Sequence, residues 1–390
     1  MIHTDISLIL TLSLLVWGSP FASRLLHMPT PPTEIILGTV AASLGFVGHN
    51  HYFNIIAEVG FLYLMFLAGM EVDLKQIIRS PKSLIRRSML FLGMMALFSV
   101  SSGILFHLNT ITIISMPLIS IGILASLAKT YGKEQRWIKL AFIAGILGEV
   151  ISIAILTIFD AASTTGVNMT LAVKIAYLAG FVASISLLYK MLRLLFWWFP
   201  ELKNTLMPKV DIADQDIRLA MALFFILIAS MLYLKLELAL GAFIAGVAIS
   251  AFFHHEKELE QKISSLGFGF LVPLFFIHVG ASFDLRSLLE EGVVTGALLI
   301  VCLMLLSRVV AAVVLKKISS MKEALLIALS LSMPLTLLVA VATIGYETKL
   351  LDIVGYYQLI LASIFEVLIS MLLIKQISKK SVLSTPDQPL

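Results

Sequence analysis

Three ionisable residues, Glu149, Arg308 and Glu366, lie in the middle of long apolar segments of the sequence. A charged side chain is costly in such surroundings unless it has a partner or a function. Glu149 follows Gly148, and nothing in its own segment can neutralise it. It must therefore be protonated, pair with another segment or hold a cation. Competition between a proton and a cation for this one carboxylate would couple their movements, and the alternative is a structural hydrogen bond between segments.

Arg308 keeps its charge, because the guanidinium group does not deprotonate in proteins. It needs an acid or free backbone carbonyls as a partner, which predicts a counter-charge in a transport core. Alternatively, its long side chain reaches the nearby end of its segment. Glu366 is expected to be either a second ion carrier or the fixed partner of Arg308, and the sequence favours neither.

Several other polar residues carry weaker predictions. His278 is expected to be a hydrogen-bonded packing residue. Four acids lie nearer the segment ends, where solvation is cheap, and are expected to have no transport role: Glu34, Glu58, Asp160 and Glu237. Pro334 lacks a backbone donor and breaks its helix. Carbonyls and helix ends freed there, near Thr336, could coordinate a cation or stabilise charge. Ser126 could do the same, or could bond to its own helix.

The composition defines the class of protein that must position these residues. Of 390 residues, 59% are apolar and 13% are charged, whereas soluble domains are about 45–50% apolar and about 25% charged. Apolar blocks of about 20 residues, each long enough to span a membrane, recur without the alternation of a barrel. The chain is therefore expected to be an all-α polytopic membrane protein. Its single cysteine, Cys302, excludes a disulfide framework and a cysteine metal site.

The apolar blocks predict about thirteen transmembrane helices. Residues 1–26 lack a positive leader region, so they are expected to form a retained first helix. The segments lie near residues 6–24, 34–48, 53–70, 87–107, 111–129, 139–161, 169–190, 216–233, 236–254, 265–282, 292–315, 322–344 and 354–375.

Charge in the loops predicts the orientation of these spans. With the N-terminus outside, the inner loops carry 23 Lys and Arg residues and the outer loops carry four. Positive residues accumulate on the cytoplasmic side, so the N-terminus is expected outside and the C-terminus inside. The net charge of +4 is then a consequence of topology.

Two similar motifs predict an internal repeat. Gly60-Phe61-Leu62 leads to Gly69 and Asp73, and Gly269-Phe270-Leu271 leads to Gly280 and Asp284; upstream, Glu34 to Gly38 matches Glu237 to Gly241. One span between the halves would reverse the second, which gives the inverted repeat of many secondary transporters. The predicted division is residues 1–165 and 216–378 as repeats, 166–215 as linking helix and cytoplasmic linker, and 379–390 as a short polar tail.

Three stretches resemble a known family. PPTEIILG from Pro31 to Gly38, AEVGFLYLMFLAGMEVD from Ala57 to Asp73 and PLFFIHVG from Pro273 to Gly280 are similar to the sodium/proton exchanger superfamily. The closer match is the bacterial cation:proton antiporter-2 (Kef-like) branch. The resemblance implies a dimer-forming panel and a core of two crossed, broken helices in spans five and twelve. It also implies an ion-binding acid on span six and a basic residue on span eleven, which here are Glu149 and Arg308.

The sequence departs from this family pattern at several places. The usual acid is an aspartate after a polar residue, whereas here Glu149 follows Gly148. An Arg-Gly-Glu motif is absent from span twelve, where Pro334 and Thr336 stand. The nucleotide-sensing C-terminal domain of Kef systems is not expected in this chain.

The prediction is a secondary antiporter that exchanges Na+ or K+ for H+ by alternating access. A single carboxylate favours one-for-one, electroneutral exchange, with the transported ion as the only metal, at Glu149. We expect a homodimer in the cell membrane, without a cofactor, an enzymatic activity or a nucleic-acid partner; a separate regulatory subunit stays open. The alternatives are an organic-anion symporter on the same fold and a channel-like or regulatory membrane protein without coupled turnover.

Overall fold

The structure is a computed structural model. It describes residues 2–26, 28, 30–48, 50–70, 80–121, 123–132, 134–165, 214–234, 238–253, 257–282, 290 and 292–382, with isolated positions between 169 and 199. Within these ranges, the side chains of some helical residues lie outside the description, among them Ser126 and Thr336.

Every regular element in these ranges is a helix. The α-helices are α1 (Ile2–Leu26), α2 (Thr30–Ser43), α3 (His51–Met70), α4 (Lys82–Leu105), α5 (Thr110–Ser115), α6 (Leu124–Tyr131), α7 (Arg136–Thr165), α8 (Gln215–Leu234), α9 (Leu238–Phe253), α10 (Lys257–Leu266), α11 (Val272–Ala281), α12 (Val293–Leu315), α13 (Met321–Ser330), α14 (Leu335–Glu347) and α15 (Ile353–Val382). A π-helical turn, Gly267–Leu271, joins α10 to α11.

The all-α prediction is confirmed, and helices match twelve of the thirteen predicted spans. Span five is divided into α5 and α6, and span twelve is divided into α13 and α14. Most of span seven, residues 169–190, lies outside the described residues. In the described residues, eight helices are long and apolar enough to cross a membrane, so the chain is an integral membrane protein.

Unit 1 is the first of two compact units. It comprises Met1–Ser23, Thr33–Lys75 and Ala154–Ser282. Its centre is α3, whose second half is almost completely buried. Glycines allow two helix pairs to approach closely. An added Cβ at Gly69 would overlap the carbonyl of Phe243 in α9, and one at Gly246 would overlap the carbonyl of Phe66.

The same reciprocal contact joins α2 to α11. A Cβ at Gly38 would overlap the Ile277 carbonyl, and one at Gly280 would overlap the Ile35 carbonyl. Small residues at such crossings let helix backbones pack closely in membranes. Gly246 allows the close crossing of α3 and α9, as Gly38 allows the close crossing of α2 and α11. By sequence similarity, however, Gly38 is aligned with Gly241.

Unit 2 comprises Arg24–Pro32, Gln76–Ile153 and Phe283–Leu390. Its central helix, α12, packs against α4, α13 and α15. Two helices of Unit 2 begin at residues whose side chains cap the helix N-terminus. The Asn109 Oδ1 atom accepts the Ile111 N–H at the start of α5, and Ser320 with Glu323 forms a capping box at α13.

Two irregular segments lie inside Unit 2. Residues 116–123 separate α5 from α6, and residues 331–334 separate α13 from α14. Each contains a proline, Pro117 or Pro334, which has no N–H to continue the helical pattern. Pro334 is buried and caps α14. We call these segments the first break and the second break.

Candidate functional site

The first break supplies backbone groups to α7. Most of the break is buried, including Leu118, Ile119, Ser120 and Ile121. The Ile119 N–H donates to the Oγ atom of Ser152 on α7 over 2.9 Å. This side chain replaces a helical hydrogen bond that the break interrupts, and so fixes the break against α7.

Glu149 lies on α7 one turn before Ser152 and is fully buried. Each of its two carboxyl oxygens accepts a hydrogen bond from a different residue of the first break. The Ser120 hydroxyl donates to Oε1 over 3.1 Å, and the Ile121 N–H donates to Oε2 over 3.3 Å. No cationic side chain in the described part of the chain pairs with Glu149. Among the described residues, the carboxyl therefore has hydrogen-bond donors but no compensating charge.

Gly148 allows this close approach. An added Cβ there would lie 2.8 Å from the Cδ1 atom of Ile119 in the first break. That distance is too short for carbon atoms in contact, whose optimal separation is about 3.5–4.0 Å. The glycine before the acid thus lets the break lie directly on α7.

Arg308 on α12 is fully buried and has both kinds of predicted partner. Its Nη1 atom donates to the carbonyls of Met116 and Met304, each over 3.1 Å, and Nη2 donates to the Leu118 carbonyl over 2.9 Å. Nη1 also lies 3.2 Å from Oε1 of Glu366. Arg308 therefore joins the first break to α15, and its charge partner is Glu366.

Glu366 repeats the arrangement of Glu149 at the second break. It is fully buried on α15, and its Oε1 atom accepts the Ser332 hydroxyl over 2.7 Å. One turn later, the Ser370 hydroxyl donates to the Ser332 carbonyl over 3.3 Å. An acid and a following serine on each long helix thus contact the adjacent break.

Other predicted residues lie apart from this cluster or outside the description. The side chains of Ser126, Thr336 and Asp160, and the whole of Glu237, are outside the described residues, although the backbones of Ser126 and Thr336 are helical. In Unit 1, His278 Nε2 is 3.0 Å from Asn54 Oδ1 and its ring contacts Phe53. Such contacts are those of a packing residue.

Glu34 differs from its predicted environment. It is buried, with 2% of its surface exposed, rather than solvated at a helix end. The Ser19 hydroxyl of α1 donates to its Oε1 atom over 2.9 Å, which compensates for lost water. Glu58, in contrast, is exposed as expected.

Sequence reasoning missed the polar groups of the breaks. Ser120, the Ile121 N–H and Ser332 contact the buried acids, yet none of the three was predicted as a site residue. Pro117 and Gly122 flank Ser120, and this pair of helix-breaking residues was the available signal.

The described residues contain no cluster of three or more His, Cys, Asp or Glu side chains that could hold a resident metal ion. The cluster offers two buried carboxylates, each with a serine hydroxyl beside it, and of the two Glu366 is paired with Arg308. Oxygen groups of this kind suit a hard cation. The arrangement can bind a proton or a monovalent cation and release either.

Comparison with known proteins identifies the family. The family model described as "Sodium/hydrogen exchanger, transmembrane" matches residues 9–380. YjbQ of Bacillus subtilis is 24% identical over 97% of this chain, which spans 64% of the length of that relative. The Na+/H+ antiporter of Enterococcus hirae is 24% identical, over 92% of this chain and 94% of its own length.

The fold also matches a solved structure. The sodium proton antiporter MjNhaP1 from Methanocaldococcus jannaschii superimposes with a TM-score of 0.69, over 98% of this chain and 99% of the other, at 17% identity. At that identity the likeness shows the fold alone. The family model covers nearly the whole chain and both breaks. The chain belongs to the sodium/hydrogen exchanger family of membrane transporters.

Proposed function

We propose that the chain is a secondary antiporter that exchanges Na+ or K+ for H+, with Glu149 as the shared binding group. The observation that carries this proposal is the environment of Glu149. It is fully buried, has two hydrogen-bond donors and meets no positive side chain in the described part of the chain. An uncompensated carboxylate is costly in this position. A proton or a cation would remove that cost, and the two compete because the carboxylate is common to both.

The charges of the cluster support one-for-one exchange. Arg308 and Glu366 compensate each other at 3.2 Å, which leaves the single negative charge of Glu149. One proton or one monovalent cation neutralises this charge equally well. The loaded site then has the same charge in both halves of the cycle, so the proposed exchange is electroneutral.

The organic-anion alternative has less support. An anion would need the positive charge of Arg308, and that charge is already paired with Glu366. The Nη1 and Nη2 atoms of Arg308 also donate to three backbone carbonyls. A substrate anion would have to replace these partners in a fully buried place, whereas a cation needs only Glu149.

The wider setting of the site is part of the same proposal. Loop charges favour an outside N-terminus and a cytoplasmic C-terminus in the cell membrane. Residues 1–165 and 216–378 would be inverted repeats joined by 166–215, and the protein would act as a homodimer by alternating access. The names of the E. hirae and M. jannaschii proteins favour Na+ as the first cation to test.

The test uses the full chain in proteoliposomes that contain a pH-sensitive dye. Adding Na+ or K+ should change the internal pH, without any organic solute, and a membrane potential clamped with K+ and the K+ ionophore valinomycin should not alter the rate of Na+-dependent exchange. Glu149→Gln should abolish this signal, and the exposed Glu58→Gln should leave it intact. A cation-independent pH signal, or normal exchange by Glu149→Gln, would contradict the proposal.

A further inference from the structure

Unit 2 contains a second buried carboxyl whose hydrogen bonding is incomplete. Glu366 contacts the second break as Glu149 contacts the first, through a serine hydroxyl. The two acids differ at their other oxygen. Glu149 Oε2 accepts the Ile121 N–H, whereas no donor in the described part of the chain reaches the buried Oε2 atom of Glu366. Both Arg308 and Ser332 are directed at Oε1 of Glu366.

Because the Oε2 atom of Glu366 has no donor in the described part of the chain, it is the oxygen of this carboxyl where a proton would bind. A buried anionic oxygen without a donor costs more free energy than a neutral one, because charge raises the desolvation penalty. A proton on Oε2 would neutralise the carboxyl and leave the Ser332 hydrogen bond to Oε1 in place. Ser332 at the second break and Arg308 on α12 are the polar and charged side chains that contact Glu366 in the described part of Unit 2.

Arg308 does not depend on Glu366 for its hydrogen bonds. Its Nη1 and Nη2 atoms also donate to the carbonyls of Met116, Leu118 and Met304. Two of these carbonyls belong to the first break, whose next residues, Ser120 and Ile121, contact Glu149. Arg308 would therefore stay in place if Glu366 became neutral, with its charge no longer compensated by that residue.

We propose that Glu366 is a second proton-binding site, and that its proton controls the affinity of Glu149 for the cation through Arg308. The inference rests on the proposed function of Glu149. When Glu366 is ionised, it compensates Arg308, and Glu149 is left with a negative charge that attracts a cation. When Glu366 is protonated, Arg308 compensates Glu149 instead, and a bound cation would add an uncompensated positive charge. Acid pH thus weakens cation binding beyond direct competition at Glu149.

The test measures the apparent KM for Na+ or K+ in proteoliposomes that contain the full chain. At alkaline pH, Glu366→Gln, which keeps a neutral group at this position, should raise the KM at least about tenfold, because the charge of Arg308 then acts on the site without compensation by Glu366. The double variant Arg308→Gln with Glu366→Gln restores the charge of the cluster and should return the KM towards the wild-type value. If Glu366 had only a structural role, the KM should be higher in the double variant than in Glu366→Gln, because the double variant loses more contacts.

An infrared measurement keeps the inference testable if Glu366→Gln alone does not fold. In the background Glu34→Gln with Glu149→Gln, the carbonyl band of a protonated carboxyl should change with pH. The part of that band which comes from Glu366 should be missing when Arg308→Gln and Glu366→Gln are added to this background, whereas the bands of the other Asp and Glu residues remain. An unchanged KM in Glu366→Gln, an equal rise in the double variant or an infrared band without a contribution from Glu366 would overturn the inference. Absence of exchange in the wild type would instead contradict the proposed function.

Discussion

Arg308 pairs with Glu366 and not with Glu149. The Nη1 atom of Arg308 lies 3.2 Å from Glu366 Oε1, whereas the described contacts of Glu149 are a hydroxyl and a backbone N–H. The basic residue is thus compensated by an acid on α15, and no cationic side chain in the described residues compensates the acid on α7. In the proposed function, this arrangement would allow one carboxylate to accept either a proton or a cation.

Loss of one member of the Arg308–Glu366 pair should destabilise the protein more than loss of both members. Arg308→Met should lower the free energy of unfolding by about 3–5 kcal/mol, because it leaves a buried carboxylate without its partner. Arg308→Met with Glu366→Met should recover much of this loss, because no charge remains buried. Thermal unfolding in detergent measures both. Arg86→Met, at an exposed position on α4, is the control and should have little effect; equal destabilisation by the single and double variants would contradict the pairing.

Ser120 should tune the affinity of the site. Ser120→Ala removes the donor to Glu149 Oε1, and a hydrogen bond to a charged group contributes about 1.5–3 kcal/mol. The ionised carboxylate becomes less favourable, so the proton competes better and the apparent KM for the cation should rise at least about tenfold. Exchange rates in proteoliposomes over a series of cation concentrations measure this. Ser115→Ala, which removes only a bond to Thr112 within α5, should leave the KM unchanged.

Replacing the glycines at the helix crossings of Unit 1 by alanine should prevent the close packing of these helices. Gly69→Ala or Gly246→Ala would place a Cβ against backbone atoms of the opposite helix, and backbone cannot move aside as a flexible side chain can. Each variant should reduce the yield of folded, monodisperse protein in detergent. Gly18→Ala on α1 is the matched control, because a Cβ there meets nothing within 4 Å. Normal yield and melting temperature for Gly69→Ala would contradict the close crossing.

A surface ion pair offers a control for pH effects. Lys139 lies 2.5 Å from Glu134 and holds the pKa of that carboxyl below its usual value by hydrogen bonding and charge. A lowered folded-state pKa stabilises the protein above the unfolded pKa, and this stabilisation is lost as the pH falls through the folded pKa. Glu134 is exposed, so the effect is small. Glu134→Gln should leave the pH profile of exchange unchanged; a shifted profile would show that this surface contributes to pH dependence.

Much of the fold could be predicted from the sequence, because a membrane imposes strong rules. Apolar segments of about 20 residues are visible without packing information, so the predicted ends of α3 and α12 agree with the observed ends to within two residues, whereas α15 extends seven residues beyond its predicted end. The division of spans five and twelve was inferred from a family resemblance and from Pro334. The similar signal of Pro117 in the first break was overlooked.

The candidate site was predictable only in part. Glu149, Arg308 and Glu366 could be found because an ionisable residue in an apolar segment is rare and costly. Their partners could not, since pairing depends on which helices are neighbours. Sequence alone left Glu366 as carrier or fixed partner, and the structure places it 3.2 Å from Arg308. Ser120 and Ser332 are small hydroxyl residues, and their types alone did not distinguish them from Ser115, which bonds within its own helix.

The most direct test of the central claim is to count the protons released when a cation binds. Calorimetric titration of the purified protein with Na+ or K+, in buffers of different ionisation enthalpy, gives this number. If the two ions compete for Glu149, cation binding releases protons at a pH where Glu149 is protonated, and Glu149→Gln neither binds nor releases. Cation binding without proton release, or binding and release that persist in Glu149→Gln, would contradict the shared carboxylate.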